Sequence, residues 1–241
     1  MGATGKLGTV VRRIVEADPE FELAAALDSR APLSDMLAAD IVVDVTLPSV
    51  SQGVVDFAVE HGLSVLVGTS GWTAERIVSL ETRVRDHGRV GVVVIPNFSI
   101  GSVLATSFAT MAARFFDSIE IVESHSATKV DSPSGTAVRT AELIGAARAD
   151  LGPVVAPHTD QRARGQQVAS VPIHSLRLRG VVARQEVVLG GTGEVLTLGH
   201  ETISPSAYEA GIRLALRATR DTTGVTVGLD RLIDLTPGPR E

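Results

Sequence analysis

Between Glu123 and Ala137 the chain reads ESHSATKVDSPSGTA, which sets His125 and Lys129 four residues apart, just ahead of a turn-forming Ser-Pro-Ser-Gly and an Ala-rich helical run. A histidine gives or takes a proton near neutral pH, and a lysine donates a proton or holds an anion as a compact charge. Ser134-Gly135-Thr136 opens the helix, so the amides and hydroxyls there make an anion site the size of a carboxylate. Together the three parts describe a pocket for a small anionic substrate that must be protonated. Taken singly, each has a structural alternative: lone histidines are commonly structural, lysines are commonly solvated, and Ser-Pro-Ser-Gly-Thr is a frequent helix cap.

A second constellation lies at the start of the chain. Gly2-Ala3-Thr4-Gly5-Lys6-Leu7-Gly8 has the spacing GxxGxxG and opens a helix, which places backbone N–H groups and the positive helix end where a pyrophosphate can sit. Such a loop alone is a weak signal. It is strengthened by Asp28, at the end of the next β-like run, where an acid can take ribose hydroxyls. Gly68-Thr69-Ser70-Gly71 and Ile95-Pro96-Asn97-Phe98 each follow an apolar run and suit a nicotinamide and its ribose; ordinary strand-to-loop punctuation is the other reading. A dinucleotide loop normally follows a central strand, and here Met1 directly precedes Gly2. The expectation is a start shortened relative to a longer native chain, or else a sheet without its central strand and with exposed flanking edges.

The elements that must position these residues fall into two groups. FELAAALDS, DIVVDVTL, LSVLVGTS and VGVVVIPN read as strands apolar on both faces, alternating with the amphipathic stretches LGTVVRRIVEAD, VSQGVVDFAVEHG and TAERIVSLETRVRDHG, the last capped by Thr73. That is a parallel α/β sheet. After Asn97 a helix, IGSVLATSFATMAARFF, leads to the strand SIEIVESH and a long helix to about Asp150. The runs VPIHSLRLRG, ARQEVVLGG and EVLTLGHET then read as antiparallel strands, before a closing helix, SAYEAGIRLALRATR, and a tail, TVGLDRLIDL. The fold class expected is α/β: a Rossmann-like doubly wound parallel sheet plus a second α+β domain with a mixed or antiparallel sheet. The boundaries drawn are 1–101 with about 207–241 for a dinucleotide-binding domain, and 102–206 for a substrate-binding and oligomerisation domain.

Composition narrows the function. The net charge of −6 and scattered Arg and Lys leave no basic footprint, and six Phe, one Tyr and one Trp offer little stacking surface, so nucleic acid is not an expected partner. Cysteine is absent, which excludes thiolate chemistry and disulfides. No apolar run reaches the roughly 20 residues of a membrane span, and the reading is a cytoplasmic protein. His61, His87, His158, His174 and His200 lack metal-ligand spacing, so no metal site is expected. Arg162, Arg164, Arg177 and Arg179 are open to two readings, a carboxylate contact or exposed loop and strand-edge positions.

With these residues in hand, the chain resembles the 4-hydroxy-tetrahydrodipicolinate reductase (dihydrodipicolinate reductase) family almost end to end, most specifically in ESHSATKVDSPSGTA. GATGKLG, DVTLPSV, VGTSGW, PNFSIG, GTGEVLTLGH and TVGLDRLIDL add to the match, and ARGQQVASVPIHSLRLRG looks closest to actinobacterial members. The resemblance implies reduction of a cyclic unsaturated imine dicarboxylate by NADH or NADPH, in a homotetramer. It implies a cofactor held by Gly2, Ala3, Thr4, Gly5, Lys6 and Leu7, by Gly68, Thr69 and Ser70, and by Ile95, Pro96, Asn97 and Phe98, with Asp28 on the adenosine ribose. It gives His125 and Lys129 as proton donors, and Ser126, Ser134, Gly135 and Thr136 as the substrate-contacting set. Asp28 favours the free hydroxyl of NADH while Arg30 and Lys6 are close in sequence for a phosphate, so dual use with NADH preferred is expected.

Three departures stand out: the missing first strand; Ser126, where the family has a second histidine; and Pro205 after Ser204, where the family usually has an arginine. A serine cannot carry charge, and losing one charge-assisted contact costs about 1.5–3 kcal/mol. Two other readings therefore stay beside the pathway enzyme: a paralogous reductase of another imine or enone carboxylic acid, and a catalytically silent dinucleotide-binding partner subunit.

Overall fold

In the computed structural model, which describes residues 1–235, the chain begins with α1 (Lys6–Ala17), β1 (Ile41–Asp44), α2 (Pro48–Glu60), β2 (Ser64–Val67), α3 (Ala74–His87) and β3 (Gly91–Val94). It continues through α4 (Ile100–Ala112), β4 (Ser118–Ser126), α5 (Gly135–Ala147), β5 (Gln166–Val168), β6 (Val171–Leu178), β7 (Ala183–Gly191) and β8 (Glu194–Thr202), and ends with α6 (Glu209–Asp221) and β9 (Gly224–Val227). Two compact units result. One joins Met1–Ile100 to the chain from Pro205 onward, the other is Gly101–Ser204. The last part of the first expected domain, 236–241, lies outside the described residues.

The first unit is a parallel sheet in the order β1-β2-β3-β9. Its central strands are apolar throughout because both faces are covered: Val65, Val67, Val92 and Val94 pack with α2 and α3 through Val54, Val55, Leu80 and Val84, while α6 lies against β2 and β3 on its own side. Thr73 caps α3 by accepting the Arg76 amide, and Gly88 ends it in the left-handed conformation at φ +64°.

FELAAALDS does not form a strand. Residues 21–28 have no sheet partner, because an apolar run supplies faces to bury but not the neighbour whose main chain would pair with it. Met1–Ala3 shows where such a neighbour would run. The Met1 amino group donates to Val43 O at 2.8 Å, Val45 N–H to Met1 O at 3.2 Å, and Ala3 N–H to Leu27 O at 3.0 Å, so these residues bridge the end of β1 to the extended segment. Below them a cleft of about 520 Å³ separates residues 20–27 from β1, lined by Val11, Phe21, Leu23, Ala25, Ile41 and Val43 among others.

The second unit is a mixed sheet in the order β5-β6-β4-β7-β8. β6 pairs parallel to β4, where an antiparallel neighbour was expected; β7 and β8 are antiparallel as read. Placing β4 between β6 and β7 means the short link after β6 does not close a hairpin. β5, three residues inside a polar stretch, had no periodicity to announce it. α5 packs its Ala137, Ala141 and Ile144 on Ile119, Ile121, Ile173, Val187 and Leu189 to form the core. Among the described residues, no helix is long and apolar enough to cross a membrane.

Candidate active site

In the first unit the loop before α1 is built by close approaches that only glycine permits. Gly2 sits at φ +82° and accepts the Gly5 amide at 3.0 Å; a Cβ on Gly8 would lie 2.1 Å from Gly2 O, and one on Gly2 would lie 2.6 Å from Val45 O. Gly5 caps α1 with no side chain on the first-turn amides, and a helix start leaves those N–H groups without intrahelical partners. The loop therefore fits a phosphate group.

The same edge of the sheet carries the other predicted cofactor contacts. Gly68, Thr69 and Ser70 follow the carboxyl end of β2, with Gly68 N–H on Asp44 O at 2.8 Å and Thr69 Oγ1 donating to Asp44 O at 3.3 Å. Ile95, Pro96, Asn97 and Phe98 follow β3; Ile95 N–H donates to Val67 O, and Asn97 Oδ1 accepts the Ser99 amide at 2.9 Å. Phe98 lies so close to Gly68 that a Cβ there would meet its ring at 2.6 Å. Ligands of open parallel sheets bind beyond the carboxyl ends of the strands, which is where these residues are. Asp28 is engaged by Arg30, whose guanidinium beside it holds the carboxyl below its ordinary value.

Asp44 was missed by the sequence reading. Wholly buried at the end of β1, it accepts the Thr46 hydroxyl at 2.6 Å and the Ser51 hydroxyl, and Ser51 Oγ in turn accepts Trp72 Nε1–H at 3.0 Å. The network ties the strand end to α2 and to the loop after Gly71. A carboxylate ending an apolar strand was its sequence signal.

In the second unit His125 lies near the end of β4, and its Nδ1 is 2.5 Å from Glu123 Oε2. Residues two apart on a strand share a face, which is what brings the pair together. Glu123 is fully buried and accepts a two-point contact from Arg177, at 3.0 and 2.9 Å, plus the Ser134 amide at 3.2 Å. Burial alone would raise the Glu123 carboxyl, but Arg177 and the other groups on it outweigh that and hold it below its ordinary value. An anionic carboxylate only accepts, so His125 carries its hydrogen on Nδ1 and leaves Nε2 for proton exchange.

The loop after β4 brings Lys129 Nζ to 2.7 Å from Asp131 Oδ1, and Arg177 fixes that loop by donating to Asp131 O at 2.7 Å. Ser126 Oγ is 3.0 Å from Thr128 Oγ1. Ser134 is buried, its hydroxyl accepting the Ala137 amide as the cap of α5 and its own amide donating to Glu123. Gly135 and Thr136 then form the first turn of that helix. The structure thus gathers His125, Lys129 and the start of α5 around Glu123, to which the sequence reading gave no role, and Arg177, which it left open between a carboxylate contact and an exposed strand-edge position.

Arg164 goes elsewhere. It pairs with Glu120, as does His174 Nε2 at 2.7 Å, and Glu120 alternates to the face of β4 opposite His125. Ser126 shares that face but lies at the far end of β4, so Arg164, paired with Glu120, does not stand in for the charge that Ser126 lacks.

Comparison with known proteins places both units in one family. Residues 1–98 match the model of the dihydrodipicolinate reductase N-terminus, and residues 101–233 that of its C-terminus. The chain is 71% identical over 241 residues to a 4-hydroxy-tetrahydrodipicolinate reductase of Clavibacter sepedonicus, covering 100% of this chain and 87% of the relative. It is 46% identical over 242 residues to the enzyme of the same name from Streptomyces griseus subsp. griseus, covering 98% and 96%. Among solved structures it is similar to a dipicolinate-bound dihydrodipicolinate reductase from Paenisporosarcina sp. TG-14, with a TM-score of 0.80, 28% identity and coverage of 96% and 97%.

Proposed function

The chain belongs to the dihydrodipicolinate reductase family, and we propose that its two units divide that family's reaction, the first holding the nicotinamide dinucleotide and the second the dicarboxylate substrate. The protein is an NAD(P)H-dependent oxidoreductase that reduces 4-hydroxy-tetrahydrodipicolinate to tetrahydrodipicolinate in diaminopimelate and lysine biosynthesis. In the balanced reaction the substrate takes up a hydride and a proton, and its 4-hydroxyl leaves as water. NADH or NADPH, when bound, supplies the hydride. The chain's own residues must hold the dinucleotide, hold the substrate carboxylates and deliver the proton.

In this reading Gly2 to Leu7 cradle the pyrophosphate, Asp28 takes the adenosine ribose, and Gly68 to Ser70 with Ile95 to Phe98 border the nicotinamide. Gly135 and Thr136 offer backbone amides to one substrate carboxylate, helped by the positive end of α5. Lys129 balances substrate charge and is a second proton donor, and Ser126 gives a neutral hydrogen bond. His125 delivers the proton from Nε2. The observation that carries the reading is the Nδ1 contact of His125 with Glu123, the same carboxylate that binds the start of α5: it couples the proton donor to the carboxylate site.

The preference is for NADH, with NADPH also used. A homotetramer built on the second unit is supported by Leu176, Leu178 and Val195, exposed on the sheet face opposite Ile173 and Leu198. A reaction that draws on NADH and NADPH suits the cytoplasm.

The direct test is oxidation of NADH or NADPH by the purified protein with freshly generated 4-hydroxy-tetrahydrodipicolinate, beside His125→Ala and Lys129→Ala. Turnover abolished or cut at least about 100-fold in both variants supports the assigned roles. Full turnover in His125→Ala would remove it from the mechanism.

A further inference from the structure

A carboxylate in the core of a sheet is costly: removing an ion from water costs several kcal/mol unless partners compensate. Ile119 and Ile121 precede Glu123 on the same face of β4, and both are apolar and fully buried, so packing alone would place a third apolar side chain there. The Glu123 carboxylate instead meets three elements: Arg177 on β6, His125 on its own strand, and the Ser134 amide at the start of α5. Arg177 is the register partner of His125 on the neighbouring strand, and its guanidinium also holds the loop that carries Lys129.

We propose that Glu123, fixed and kept anionic by Arg177, is the positioning residue for His125: it holds the imidazole in one orientation with its hydrogen on Nδ1 and supports the imidazolium from which Nε2 gives up its proton. The inference rests on the reading of His125 as proton donor and adds how that donor is prepared. A neutral ring with one fixed tautomer has a defined donor and acceptor. Arg177 prevents the carboxylate from taking the proton itself. The charged groups of the surroundings are Glu123 on the same strand, Arg177 on β6, and Lys129 with Asp131 on the following loop; β7 offers the neutral Ala183 opposite His125, and on α5 the pair Arg139 and Glu142 is exposed.

The test compares Glu123→Gln, the double variant Glu123→Gln with Arg177→Met, and His125→Ala, by kcat, KM, the pH profile of kcat/KM and thermal unfolding. The double variant removes both charges of the buried pair at similar volume, so it keeps the fold where a single change fails to. With Glu123 as positioning residue, kcat falls roughly 10- to 100-fold in both Glu123 variants while KM stays within about twofold. The double variant regains thermal stability without regaining kcat. Wild-type kcat and pH profile in the double variant, with His125→Ala inactive, would overturn the positioning role and leave His125 in place. A raised KM with unchanged kcat would also overturn it, by placing the effect of Glu123 on the carboxylate site. Full activity of His125→Ala would remove the reading on which the inference stands.

Discussion

Arg30 grips Asp28 twice, its amide donating to Oδ1 at 2.9 Å and its guanidinium to Oδ2 at 2.8 Å. The Arg30 side chain is 88% exposed, so the ion pair is a weak, solvent-screened one. A ribose diol can displace the guanidinium and bind the carboxylate, whereas a ribose phosphate repels the carboxylate and attracts the arginine. Arg30→Ala is expected to lower kcat/KM for NADPH roughly tenfold and leave NADH within about twofold; Asp28→Ala is expected to do the reverse. Parallel kinetics with both cofactors check this, and equal losses for both in either variant would contradict it.

How much of this could be read in advance depended on whether the partners were neighbours in sequence. His125, Lys129, Gly135 and Thr136 were legible because one strand end, one loop and one helix start bring them together. Arg177 was not, since its contact with Glu123 spans 54 positions and exists only because β6 runs parallel to β4. The apolar segment 21–28 was misread for a related reason: an apolar run describes faces that want burial but says nothing about whether a main-chain partner stands beside it. The Gly2–Gly8 loop was readable because its glycines have steric causes within a few residues and at Val45.

Those causes are testable at Gly8. Gly8→Ala puts a Cβ 2.1 Å from Gly2 O, which the turn cannot relieve without opening, so stability should fall by about 1–3 kcal/mol and NADH affinity with it. Gly53→Ala is the control. Gly53 lies inside α2 with nothing within 4 Å of a new Cβ, and alanine there should stabilise by about 0.5–1 kcal/mol with NADH binding unchanged. Thermal unfolding and NADH titration of both variants separate the two effects.

Acid should weaken the second unit through Glu123. Its carboxyl sits below its ordinary value of 4.5 in the fold, so the folded state binds that proton less readily than the unfolded chain does. The resulting stabilisation is complete above about pH 4.5 and is lost as pH falls through the lower folded value. Glu120 and Asp131 are shifted in the same direction and add to the loss. Breaking the pair by Glu123→Gln should cost about 3–5 kcal/mol near neutral pH. The difference from wild type should shrink as unfolding is measured at successively lower pH; a constant difference would mean that the charge of Glu123 contributes nothing.

The cleft beside β1 makes a prediction about pairing. Residues 20–27 and β1 line it on either side, and Met1–Ala3 already bonds to both sides at one end. A chain extended at Met1 by five or six β-branched apolar residues should run between the two walls parallel to β1, adding a ladder on each side and burying apolar surface on both faces. Its unfolding midpoint should rise by at least about 5 °C. An extension of equal length made of Gly and Ser, with no apolar surface to bury, should give no such rise; if both behave alike, the cleft does not take a strand.

Ser126 offers a gain-of-function test of the substrate site. Its hydroxyl is held by Thr128 and carries no charge, and Arg164 is committed to Glu120, further back along the same face of β4. Ser126→His would place a second imidazole next to His125 along β4, but on the alternate face of the strand, at the point where the loop to Lys129 begins. If that side chain reaches a substrate carboxylate, the added charge-assisted hydrogen bond is worth about 1.5–3 kcal/mol, so KM should fall at least about tenfold below pH 7, with little change in kcat. The gain should fade as pH rises above the ordinary histidine range, because only the protonated ring adds charge. An unchanged KM at every pH would show that position 126 is not in contact with substrate and that the carboxylate is held by the start of α5 and Lys129 alone.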